Sequence, residues 1–271
     1  MGALHASRPC LLGSSGGGAS VKAGGRLIVL SGPSCVGKSP LFKALAQFEP
    51  DLLARVRPLV LYNSRSPRPG ESDGKDYHFR SRAEIERLRE NDRFVVIDVR
   101  GDLQALDVEE LTRNLAKSDM LFEGNPFIGE TLLVHEKLRA VAKLSVFISP
   151  LSLDEVKFLM SQPGVALDAL IVDVMRRKLL RRTRKQKGEL SLKDLEEIER
   201  RAGSAPREIA MAPRFQYVVP NHDGEDSENW NAFYHPIGDA RRTFLAVAGL
   251  LRGRKLSQVE KWPRRLFPGR D

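Results

Sequence analysis

Gly32-Pro33-Ser34-Cys35-Val36-Gly37-Lys38-Ser39 follows the apolar run Leu27-Ile28-Val29-Leu30 and precedes Leu41-Phe42-Lys43-Ala44-Leu45. The spacing is G-x-x-x-x-G-K-S between a strand-like run and a helix-like run, the context a phosphate-binding loop requires. Two glycines let the backbone curl so that successive N–H groups point inward at an anion. The helix N-terminus that follows adds its positive end to the same anion. Lys38 is then placed to reach the β- and γ-phosphates of a nucleoside triphosphate, and the Ser39 hydroxyl to take a position on Mg²⁺. A glycine-rich turn with an incidental lysine is the plainer reading, and the flanking strand and helix argue against it. Pro40 falls in the first helical turn, where its missing N–H costs little.

The chain has 271 residues, 41% of them hydrophobic, enough for one substantial α/β core with an inserted subdomain. No apolar run approaches the length needed to span a bilayer. Of the two cysteines, Cys10 and Cys35, one lies inside the phosphate loop, so a structural disulfide is not expected and a reducing, cytoplasmic setting is. Residues 1–25 are rich in Gly, Ser and Ala, with Arg8 and Lys22 as the only charges, and read as a disordered leader. They are poor in arginine for a transit peptide, and Ala6 stands where a myristoylation signal wants Ser or Thr. The net charge of +9 is concentrated in two blocks. One is Arg176-Arg177-Lys178, Arg181-Arg182, Arg184-Lys185 and Lys187; the other is Arg252, Arg254, Lys255, Lys261, Arg264, Arg265 and Arg270. Such blocks bind nucleic acid, cover anionic small molecules, or are solvated faces.

Hydrophobic periodicity predicts a helix over about 38–47, a strand at Leu59–Tyr62, and a short strand at Asp76–Phe79. Ser81 and Glu84 form a capping box for the next helix, and Phe94–Ile97 reads as a strand. Helices over 108–117 and about 128–142 flank the apolar run Met120–Gly124, and Leu144–Ile148 follows them. Ser152 and Glu155 cap a further helix. A basic helix runs from about Leu167 to Lys185, Gly188 breaks it, and a helix restarts near Ser191. Gln216–Val219 is the last core strand, and the 239–251 helix closes the domain. Short apolar strands alternating with helices predict a parallel sheet covered on both faces.

With these elements in place, the chain resembles the guanylate kinases. The matches are Gly32–Ser39, Ser64-Arg65-Ser66-Pro67-Arg68-Pro69-Gly70-Glu71, Asp73-Gly74-Lys75-Asp76-Tyr77-His78-Phe79, and Phe147-Ile148-Ser149-Pro150-Leu151-Ser152-Leu153-Asp154-Glu155. The resemblance implies a P-loop NTPase fold: a parallel core sheet flanked by helices, with an inserted β subdomain for the acceptor (about 58–107) and a helical lid (about 160–205). The domain would span 26–252, followed by a basic tail over 253–271. It implies an ATP- and Mg²⁺-dependent phosphotransferase acting on a small phosphorylated acceptor. The nucleotide would be held by Gly32, Ser34, Cys35, Val36, Gly37, Lys38, Ser39 and Asn221. Arg65, Arg68 and Tyr77 would hold the acceptor phosphate, because guanidinium forks and a phenol suit a dianion. Ser39, with Glu123 through water, would hold the metal, and Lys38, Arg65, Arg181, Arg182 and Arg201 would carry catalysis. The plainer reading of Arg65 and Arg68 is that they pair with surface carboxylates.

The guanine-reading part departs from the family. Val96 stands where the family has a glutamate that accepts from the guanine edge, and Ala105-Leu106-Asp107 stands for its Y-G-S/T element. Leu61 replaces a serine, and the family's L-D-x-D strand end becomes Phe122-Glu123-Gly124-Asn125. These changes predict that a phosphorylated acceptor binds while GMP is poor or inactive, with Asp98, Asp102 and Asp107 as possible new contacts. The lid carries about twenty extra residues before Arg181-Arg182-Thr183. Its like charges predict an open segment when no nucleotide is bound, closing inward on ATP. Two other readings stand: a non-catalytic partner-binding module of this fold, and a nucleic-acid-associated NTPase using the basic blocks. Modules of the first kind usually lose the phosphate loop, which this chain keeps.

Overall fold

The computed structural model describes residues 24–267 apart from Pro69. Most of the leader with Cys10, and Pro69 and Arg270, lie outside the described residues.

Strand β1 (Leu27–Ser31) is buried at all five positions because it is the centre of the core sheet. It runs into the phosphate loop and α1 (Lys38–Phe48), whose buried side carries Leu41, Ala44 and Leu45. A short helix, α2 (Pro50–Leu53), leads to β2 (Val56–Pro58) at the sheet edge. The chain then leaves the core. Where one strand over Leu59–Tyr62 is expected, β2 stays in the core sheet and β3 (Leu61–Asn63) belongs to a second sheet. Leu59, which donates its N–H to Leu121 O at 2.7 Å, is the crossing point.

The second sheet holds β4 (Tyr77–Phe79), β5 (Phe94–Val99) and β6 (Asp102–Asp107) beside β3, in the order β4-β3-β6-β5. Helix α3 (Arg82–Arg87) begins with the Ser81–Glu84 capping box and covers one face through Ile85. β6 is not anticipated by the apolar-run reading. Its polar residues Asp102, Gln104 and Asp107 interrupt the apolar ones, and it pairs antiparallel with β5 across the tight Arg100-Gly101 turn.

Helix α4 (Val108–Leu115) returns the chain to β7 (Asp119–Gly124), next to β1. Helix α5 (Pro126–Val134) stops eight residues short of the expected 142, because His135 is extended and a single 3₁₀ turn follows. Strand β8 (Lys143–Ser149), α6 (Leu153–Ser161), α7 (Leu167–Lys187), α8 (Leu192–Ala210), β9 (Tyr217–Pro220) and α9 (Gly238–Leu251) complete the chain. The core sheet is parallel throughout, ordered β2-β7-β1-β8-β9. The expected α/β architecture of a parallel sheet flanked by helices is what forms. No helix among the described residues is long and apolar enough to cross a membrane.

After α9 the chain doubles back along the open edge of β9. Val218 and Glu260 exchange main-chain hydrogen bonds of 2.9 and 2.8 Å. Val259, Trp262 and Phe267 sink into the core, and Glu260 Oε2 accepts from Leu153 N and Trp262 Nε1. This strap covers an edge that would otherwise present unpaired backbone groups. Trp262 is 3% exposed, so Trp262→Ala should cost about 3 kcal/mol or more of stability. Urea unfolding monitored by circular dichroism measures it, and a cost below about 1 kcal/mol would show that the strap only lies on the surface.

Candidate active site

The loop after β1 is shaped by close approach. A Cβ on Gly32 (φ +154°) would lie 2.4 Å from Ile148 O, and one on Gly37 (φ +94°) would lie 2.6 Å from Asn221 Nδ2. Gly37 caps α1 without a side chain, so the first-turn amides stay available to an anion. Lys38 is buried, and its Nζ donates to Gly32 O at 2.9 Å and Pro33 O at 2.7 Å. Burial pulls its pKa down, while Glu225, Glu123 and Glu208 pull it up. Cys35 is left-handed (φ +67°), and burial pushes its thiol up to about 12, so it stays protonated.

Ser39 Oγ donates to Glu123 Oε1 at 3.0 Å. Burial raises the Glu123 pKa against the pull of Lys38 and Ser39. An oxygen-only pair facing a phosphate-sized space fits Mg²⁺, which takes one or two protein oxygens and completes its shell with phosphates and water. Among the described residues no group of three or more His, Cys, Asp or Glu side chains is arranged to hold a metal by itself. Asn221 departs from its expected position. It is wholly buried beneath the loop, donating to Val36 O and Asp223 O at 2.7 Å each, and does not line the cleft. Its amide ties Val36 O of the phosphate loop to Asp223 O of the segment after β9, which holds the loop's curve from below.

One cleft collects Gly32, Ser34, Cys35, Lys38 and Ser39 with Arg65, Arg68 and Tyr77, Glu123, Arg182 and Arg201. Val36, also expected there, is buried behind the loop. Arg65 forms a fork with Glu71 (2.6 and 2.7 Å) and lies 5.1 Å over the Tyr77 ring. Burial raises the Tyr77 pKa, so the phenol keeps its proton. Arg68 Nη2 reaches Glu197 at 3.3 Å. Both arginines therefore hold carboxylates and line the cleft at once.

The face of the second sheet toward the cleft differs from expectation. Val96 and Ala105 sit opposite each other and turn toward α3, packing with Ile85 and Leu103. Asp107 caps α4, accepting from Glu110 N at 2.9 Å, and pairs with Arg93. Asp98 accepts from Gly101 N and lies 3.7 Å from Arg82. Of the three aspartates only Asp102 lines the cleft, with Gln104, Asn63, Val99 and Arg100. Strand alternation explains the shift: one residue of register exchanges the faces. The Arg100-Gly101 turn was the available signal for that register.

The basic helix is not open. Arg176 pairs with Glu199, Arg177 with Asp173, Lys178 and Arg181 with Asp226, Arg182 with Glu225 (2.9 Å), Lys185 with Glu228, and Lys187 with Asp194. The loop after β9 supplies many of these carboxylates, and they cancel the repulsion expected from the cations alone. Arg181 points away from the cleft, 60% exposed against Asp226, whereas Arg182 lines it. Arg201 also lines it, with Nε 2.7 Å from Glu197.

The family model for guanylate kinase matches residues 24–166. A guanylate kinase from Caldanaerobacter subterraneus subsp. tengcongensis is 32% identical over 206 residues, covering 75% of this chain and 83% of the relative. One from Corynebacterium jeikeium is 32% identical over 207 residues, covering 73% and 89%. The crystal structure of guanylate kinase from Anaplasma phagocytophilum superposes with a TM-score of 0.50 at 21% identity, covering 86% of this chain and 87% of that one.

Beside Asn221, His222 Nδ1 lies 2.5 Å from Asp239 and Nε2 2.9 Å from Glu155. Burial lowers its pKa, and hydrogen bonds to the two carboxylates outweigh that, leaving it above the ordinary histidine value. A raised histidine pKa stabilises fully below the unfolded value of about 6.5 and is lost as pH rises through the folded value. Unfolding stability should therefore fall as pH rises above about 6.5, and His222→Gln should lack that component. The same slope in both proteins, measured by urea titration across that range, would remove His222 as its source.

Proposed function

The chain belongs to the guanylate kinase family and is a nucleoside-monophosphate-kinase-like phosphotransferase; on that premise, we propose that it transfers the γ-phosphoryl group of ATP to GMP. The observation that carries this reading is the single cleft in which Lys38, Ser39 and Glu123 face Arg65, Arg68 and Tyr77. Val96, whose lack of a carboxylate argued against GMP, faces α3, so its apolar side chain does not line the acceptor's cleft. The reading of a non-catalytic partner-binding module does not explain an intact phosphate loop. Nor does the basic helix offer a free surface to nucleic acid, since most of its cations are paired.

Transfer between two phosphates needs alignment and charge neutralisation more than a strong base. In the proposed mechanism Lys38 exchanges its two carbonyl partners for the β- and γ-phosphates. The loop amides and the α1 N-terminus bind the anion from behind. Ser39 and Glu123 would hold Mg²⁺, which when bound would supply charge neutralisation to the triphosphate. Arg65 and Arg68, with the protonated Tyr77, grip the acceptor phosphate and aim one of its oxygens at the γ-phosphorus. Arg182 and Arg201 add positive charge from the lid side.

Lys38→Ala should lower kcat for GMP phosphorylation by about 10²-fold or more, with the fold retained by circular dichroism. The acceptor is tested by ADP release against GMP, AMP, CMP, UMP and dTMP. GMP should be turned over most efficiently. Preference for another monophosphate would overturn the GMP reading, and unchanged turnover in Lys38→Ala would overturn the site.

A further inference from the structure

Arg100 has no role in the reading above, yet it stands in the cleft wall. It occupies the tip of the β5–β6 hairpin with φ +58°; Arg100 and Cys35 of the phosphate loop are the non-glycine residues of positive φ among those described. A left-handed residue before Gly101 (φ +89°) makes a turn that Asn or Gly fills with less strain. An arginine in that strained position points to a use for its side chain.

The surroundings aim that side chain. Glu208, wholly buried on α8, accepts from Arg100 Nε and Nη2 through the same oxygen that takes the Ser204 hydroxyl at 2.6 Å. The Arg100 carbonyl accepts from Arg200 Nη1, which ties the hairpin to α8. Nη1 of Arg100 carries no hydrogen bond among the described residues. The pair also stands close enough to Lys38 to act on it: beyond burial, Glu208 raises the ammonium's pKa and Arg100 lowers it.

We propose that Arg100 is a catalytic residue, a guanidinium carried on the acceptor-side hairpin that contacts the phosphoryl group in transit, with Glu208 as its positioning residue. The inference rests on the phosphotransferase reading. In the step, an oxygen of the acceptor phosphate forms a bond to the γ-phosphorus as the bond to the β,γ-bridging oxygen breaks. The electron pair leaves with ADP. Arg100 offsets charge on the equatorial oxygens. A cation supplied from the acceptor side joins transfer to acceptor binding, because the hairpin continues into Asp102 and Gln104 of the same wall.

The competing role is structural: Arg100 would serve only to neutralise Glu208, and removing it alone would leave a buried carboxylate unpaired. Arg100→Ala and the double variant Arg100→Ala/Glu208→Gln separate the two, because the double variant removes both charges. We measure kcat, melting temperature, and calorimetric affinity for a guanosine–adenosine pentaphosphate that spans both sites, beside ADP and GMP singly. The expected result is a loss of about 100-fold in kcat in both variants. Pentaphosphate affinity should fall about tenfold or more while ADP and GMP affinities hold. Melting temperature should recover in the double variant. Recovery of kcat in the double variant, or unchanged pentaphosphate affinity, would overturn the proposal. If wild-type protein prefers another monophosphate, the GMP reading fails, and Arg100 is judged with that acceptor and the matching pentaphosphate. If wild type turns over none, the phosphotransferase reading fails and the proposal falls with it.

Discussion

A buried ammonium sets the terms for the rest of the cleft. Lys38 is taken out of water, which is costly for a charge unless its donors are met. Two carbonyls of its own loop meet them, and they do so because Gly32 and Gly37 let the chain curl tightly enough to present those oxygens. The curl in turn leans on Asn221 and on Trp230, whose indole N–H donates to Asp223 O and Gly224 O. In the proposed mechanism an arriving phosphate would meet a cation already desolvated and already aimed.

The same logic repeats across the cleft with carboxylates in place of carbonyls. Glu71 holds Arg65, Glu197 holds Arg68 and Arg201, Glu225 holds Arg182, and Glu208 holds Arg100. Each acid fixes a guanidinium in a wall where unpaired cations would repel one another. Several of these pairs retain exposed surface, so screening keeps them weak and exchangeable. Glu208 is the exception, being wholly buried, and its pair is the least suited to dissociate. In the proposed mechanism substrate phosphates would compete with acids for most of the arginines, while Arg100 would stay set.

Much of this was legible in order along the chain. The phosphate loop, the capping boxes at Ser81 and Ser152, and the alternation of apolar strands with helices all rest on local chemistry, and the structure follows them. The second sheet was harder. β6 carries three polar residues in six, and although β5 is its hairpin neighbour, its other partner β3 lies far back in the sequence. Without that strand the register is one residue out, and Val96 and Ala105 are expected at the cleft where Asp102 and Gln104 stand. Asn221 and Arg181 were misplaced for a related reason: each is adjacent to the site in sequence, and its direction is set by tertiary partners that no local pattern reveals. Arg100 was legible only as a turn residue.

The lid shows how far a charge count can mislead when read on one helix. The family match ends at residue 166, and α7 begins at Leu167. From there the chain carries a run of cations whose answer lies forty residues on, in Glu225, Asp226 and Glu228 after β9. That loop begins at Asn221, the residue holding the phosphate loop from beneath. Lys178 strengthens the connection by donating to His222 O at 2.5 Å. The basic helix is thus fastened to the segment that supports the triphosphate site. The neutralised charges make α7 a brace for that segment, and Arg182 is the one of its arginines that lines the cleft, the position from which the proposed mechanism has it meet phosphate.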